Sequence, residues 1–104
     1  MTQAKPVRIA VDAMGGDFAP AETVAGAVLA ARKGDVHIAL VGDPERLNQE
    51  LAKHDTKGLP IMVVPSEGVV VEGESPMQSY RQKPKASIFV ATGAVKQGMA
   101  DAVV

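Results

Sequence analysis

The run VRIAV at residues 7–11 is the feature that most narrows the fold, because only Arg8 interrupts it and three of its members are β-branched. A strand with one wet face alternates apolar and polar residues, whereas a near-continuous run is expected of a strand covered on both faces at the centre of a parallel sheet. Two further runs of the same kind follow, VHIALV at 36–41 and LPIMVV at 59–64, and each gap between runs carries a helical pattern. In the first gap Pro20 stands near the helix start and Glu22 in its first turn. Arg32 and Lys33 lie in the last turn, Gly34 is the stop, and Val24, Val28 and Ala31 give the inner stripe. In the second, Gly42-Asp43-Pro44 reads as a tight exit with Asp43 as N-cap and Pro44 at N1, while Leu47, Leu51 and His54 mark the inner face.

Pro60 lacks an N–H for a ladder, so the third strand is predicted nearer an edge. From Ser66 to Pro84 the pattern lapses, apart from one or two helical turns opening at Ser75-Pro76 and running through Gln82. KASIFVATGAVKQG at 85–98 is the next helix, with Ile88, Ala91 and Val95 inward and Gly98 as its stop, and ADAVV at 100–104 is a fourth strand. Strand–helix alternation of this kind predicts an α/β fold, a mostly parallel sheet with helices on both faces. In the doubly wound pattern the strand order is 3-2-1-4.

With 11 Lys and Arg against 12 Asp and Glu, and only Phe18, Tyr80 and Phe89 as aromatics, the chain has neither the field nor the stacking series of a nucleic-acid binder. It has no cysteine, which excludes disulfides, thiolate metal sites and a Cys nucleophile. His37 and His54 have no second ligand at metal spacing and read as structural or exposed. No apolar run approaches the ~18 residues of a membrane span, so a cytoplasmic protein is expected.

Chemistry concentrates in two places. In VDAMGGDFAP at 11–20, Gly15 and Gly16 allow positive φ and bring backbone amides near a ligand, and the following helix offers its positive end. Asp12 and Asp17 either fix this strand-to-helix corner as turn and cap residues or serve the chemistry directly. The stretch is neither a dinucleotide fingerprint nor a P-loop, and its two acids are spaced too widely for a nucleophile–acid pair. In SYRQKPKAS at 79–87, Arg81, Lys83 and Lys85 gather positive charge before a helix start whose cap is Lys85, Ala86 or Ser87. That charge suits a phosphate or an acidic protein partner, or is simply a solvated basic loop.

In order and spacing, RIAVDAMGGDFAP, ALVGD at 39–43, SPMQSYRQKPKAS and VKQGMADAVV resemble the N-terminal third of the PlsX-type phosphate acyltransferases of bacterial phospholipid synthesis. The resemblance implies transfer of a fatty acyl group from acyl carrier protein to inorganic phosphate, giving acyl phosphate, with no metal or organic cofactor. It also implies an isocitrate/isopropylmalate dehydrogenase-like α/β fold, a homodimer, and peripheral association with the cytoplasmic membrane. Residues 1–104 are then expected to be the N-terminal part of one α/β domain, the remainder of the family's chain being absent. On this reading Asp12 and Asp17 are the candidate catalytic carboxylates, orienting the loop and its donors. Gly15, Gly16, Arg81, Lys83, Lys85 and Ser87 are the candidate substrate-binding residues. A non-catalytic anion- or nucleotide-binding module, or an inactive fragment, is the alternative.

Overall fold

The computed structural model describes residues 6–16, 18–68 and 75–104. Asp17 and most of the irregular stretch after Gly68 lie outside the described residues. Four strands, β1 (Val7–Asp12), β2 (Val36–Gly42), β3 (Ile61–Pro65) and β4 (Ala102–Val103), form one all-parallel sheet in the order β3-β2-β1-β4, as the doubly wound pattern predicts. The register pairs Val7 with Val36 through Asp12 with Val41, Ile38 with Ile61 through Gly42 with Pro65, and Ile9 with Ala102. β3 is the edge that Pro60 foretold. Leu59 and Pro60, expected inside the strand, precede it, and the Pro60 carbonyl accepts from the Ile38 amide at 2.9 Å.

Side chains alternate across a strand, so each strand feeds two cores. On one face Ile38 and Leu40 pack with Val24, Ala27, Val28 and Ala31 of α1 (Ala21–Arg32) and with Leu47 of α2 (Pro44–Leu51). Burying the leucine, isoleucine and valine side chains stabilises by roughly 1.5–3 kcal/mol each, and the alanines by less. His54, expected on the inner face of α2, falls beyond its end and is half-buried. The Asp43 carboxylate caps α2 by accepting from the Glu45 amide at 3.0 Å, with Pro44 in the first turn. Gly34 takes φ +81° just after the Lys33 C-cap of α1, a conformation that a side chain resists, and this ends the helix.

On the other face Ala10 and Val41 meet Ala91 of α4 (Ser87–Lys96), with Ala100 beside them. α3 (Pro76–Gln82) is the short helix expected from Ser75-Pro76. Coverage of β1 differs from the expectation. Helices do lie on both faces, but α4 meets β1 at the small Ala10, and Arg8, the preceding residue on that face, is exposed. Beyond the reach of α4 the same face holds a largely apolar cleft of about 360 Å³, bordered by His37, Ala39, Met62 and Met99.

Candidate functional site

Parallel strands deliver all their exits to one rim, where α/β proteins hold their ligands. The Asp12 amide donates to the Val104 carbonyl at 3.0 Å, the Ala13 amide to Val41 at 3.0 Å and the Ser66 amide to Gly42 at 2.9 Å, which ties the four exits together. The diglycine corner therefore stands beside the tip of β4. The apolar cleft lies elsewhere, on the sheet face, and does not include this rim.

Within the corner the half-buried Asp12 acts first on its own turn. Its Oδ1 accepts from the Met14 amide at 3.2 Å and its carbonyl from the Gly15 amide at 3.4 Å. A Cβ on Gly15 would lie 3.0 Å from Asp12 Oδ2, so this glycine supplies room for the carboxylate and turns its amide inward. Gly16 is exposed with φ +95°, the left-handed geometry anticipated for the bend, whereas Gly15, expected to share it and to face a ligand, has no positive φ and spends its amide on the Asp12 carbonyl. Thr23, which the sequence reading passed over, donates its hydroxyl to Ala13 O at 2.6 Å and Pro20 O at 3.0 Å, fastening α1 to the β1 exit. Met14 packs over Gly42, where an added Cβ would come within 2.8 Å of its Cγ.

Gly42 links this corner to the basic segment, since its carbonyl also holds the amide of Ser66. From there the chain runs beside the start of α4, the Glu67 amide donating to Lys85 O at 2.7 Å and the Ser87 amide to Gly68 O at 3.4 Å. Arg81 and Lys85 are exposed, while Lys83 is half-buried with its aliphatic stem against Gly68. The cap of α4 is Ala86, which offers no side-chain hydrogen bond. Ser87 opens the helix at 1% exposure. Its hydroxyl and that of Ser66, which is 8% exposed, are enclosed without a hydrogen-bond partner. Sequence reasoning missed Ser66. Its only signal is its position, the first residue after a parallel strand.

Among the described residues no three His, Cys, Asp or Glu side chains group as metal ligands, and no helix is long and apolar enough to cross a membrane. The all-parallel sheet and its flanking helices define an α/β protein, with the glycine corner as its candidate site at the carboxyl ends of the strands. The family described as "Fatty acid synthesis protein" matches residues 7–104, and the chain belongs to it. It is 50% identical over 97 residues to the phosphate acyltransferase of Acaryochloris marina, covering 93% of this chain and 28% of that protein. To those of Geobacter sulfurreducens and Desulforamulus reducens it is 50% and 49% identical over 98 residues, covering 94% of this chain and 28% and 29% of theirs. The chain thus spans a little over a quarter of the length of these curated relatives.

Proposed function

We propose that the chain supplies part of the site of a phosphate acyltransferase, which moves a fatty acyl group from acyl carrier protein to inorganic phosphate. A phosphate oxygen attacks the thioester carbonyl, a C–O bond forms as the C–S bond breaks, and the carrier's thiolate leaves and takes a proton from the attacking phosphate or from solvent. No protein nucleophile is required. Such a reaction needs an anion held in line and donors for the oxyanion that develops on the carbonyl.

The carrying observation is the 3.0 Å bond from Asp12 to Val104, which sets the diglycine corner beside the β4 tip on one rim. Asp12 holds the turn, Gly16 and the start of α1 face the ligand, and Asp17 is assigned to the same loop. Ser87, Lys83 and Lys85 receive phosphate, and Arg81 with the lysines engages the acidic carrier. The homodimer, the peripheral membrane association, the cytoplasmic location and the dehydrogenase-like architecture belong to this same reading.

The test is formation of acyl phosphate from a long-chain acyl carrier protein and inorganic phosphate, comparing the full-length Geobacter relative with and without the Lys85→Ala equivalent. A raised phosphate KM in the variant supports the assignment. Absence of acyl phosphate from the full-length protein overturns it.

A further inference from the structure

We infer that the junction between the end of β3 and the start of α4 is a binding pocket for a tetrahedral oxyanion, in which the hydroxyls of Ser66 and Ser87 donate to a phosphate oxygen. Buried hydroxyls in native proteins nearly always have partners, so two orphans at one junction call for a guest. Both Oγ atoms are enclosed and unpaired. Ser87 is the first residue of a ten-residue helix whose cap gives no side-chain hydrogen bond, so the positive end of α4 starts at this hydroxyl, and its first amide is held only by the 3.4 Å bond to Gly68 O.

The strip 66–68 is held against 85–87 by two hydrogen bonds, Glu67 to Lys85 at 2.7 Å and Ser87 to Gly68 at 3.4 Å. That pairing lays the segments that carry the two serines side by side. The longer of the two bonds is the weaker, and it is the one that an entering ion would displace. Among the described residues 66–68 and 81–87 the exposed charges are Arg81 and Lys85 against Glu67, so this side of the approach is net cationic. An anion recognised by hydroxyls and a helix start, with lysines outside, has the chemistry of phosphate or of a phosphate monoester.

The inference rests on the proposed function only for the choice of phosphate as probe. The measurement is 31P line broadening on titrating inorganic phosphate into the chain, with unfolding midpoints followed in parallel against chloride at matched ionic strength. Wild type is expected to broaden the signal and gain midpoint. Ser87→Ala and Ser66→Ala are each expected to weaken the response by about tenfold or more. Their phosphate-free midpoints should be unchanged or higher, because each removes an unpaired buried hydroxyl. No response in wild type, equal responses in all three proteins, or a water that persists between the two hydroxyls at saturating phosphate would each overturn the pocket. Should one variant fail to fold, the other and the wild-type signal decide. Competition by methyl phosphate points to an organic phosphate as the physiological source, and its absence to the inorganic ion; both uphold the oxyanion site. Phosphate binding without acyl transfer sinks the transferase reading alone. Acyl transfer with an unchanged phosphate KM in Ser66→Ala sinks this inference alone.

Discussion

The Asp12 carboxylate occupies the space beside Gly15 so closely that a methyl group there would stand 3.0 Å from its Oδ2. The φ of Gly15 lies outside the left-handed region, so alanine costs no backbone strain and meets the carboxylate alone. Gly15→Ala should therefore push Asp12 off the Met14 amide and destabilise by about 1 kcal/mol, the net worth of one hydrogen bond. In an Asp12→Ala background the same change should cost much less. Urea unfolding of the four proteins in this cycle measures the coupling, and simple additivity would rule the contact out.

Gly42 presents a harder collision. A Cβ there would approach Met14 Cγ at 2.8 Å, Sδ at 2.9 Å and Leu47 Cδ1 at 3.1 Å, and Leu47 is fully buried in the larger core. Gly42→Ala is expected to cost about 1–3 kcal/mol by overpacking. Because methionine can swing away, Met14→Ala should recover part of that loss. A Gly42→Ala protein as stable as wild type in urea contradicts this packing.

Thr23 joins α1 to the β1 exit through its hydroxyl alone. Replacing it with the isosteric valine removes the donor, keeps the bulk, and should cost about 1 kcal/mol. Serine should retain most of the stability. Thermal unfolding separates the two variants, and a valine midpoint above that of serine would assign the contribution of Thr23 to its methyl group.

At the opposite rim Arg8 and Asp101 pair at 3.2 Å, and the Arg8 amide also donates to the Asp101 carboxylate at 2.9 Å. The Arg8 side-chain hydrogen bond, then its amide, hold the Asp101 carboxyl below the usual carboxylate range. A depressed carboxyl stabilises the fold above its unfolded pKa, and that contribution is lost as pH falls through the lower folded value. The difference in unfolding midpoint between wild type and Asp101→Asn should thus be full near neutrality and shrink below about pH 4. Both side chains are about half exposed, at 46% and 48%, so about 1 M salt should shrink the difference too. A difference independent of pH would exclude this ion pair as its cause.

The sequence by itself determined the alternation of strands and helices, since β-branched runs and helical stripes are local patterns that few folds accommodate. Asp43-Pro44 and Gly34 fixed where α2 begins and α1 ends for the same reason: caps and left-handed positions depend on neighbouring residues only. The glycine corner, the basic segment and the edge placement of β3 were legible as well. Tertiary structure alone decided that β1 is covered unevenly, because the reach of α4 depends on where Ala91 settles against Ala10 and Val41. It alone decided that Gly15 makes room for Asp12 and that Gly42 joins the two halves of the rim. Ser66 and Ser87 became a pair of enclosed, partnerless hydroxyls only once the strip after β3 was laid against the start of α4. Burial and hydrogen-bond satisfaction are properties of segments far apart in the chain brought together, and no local pattern encodes them.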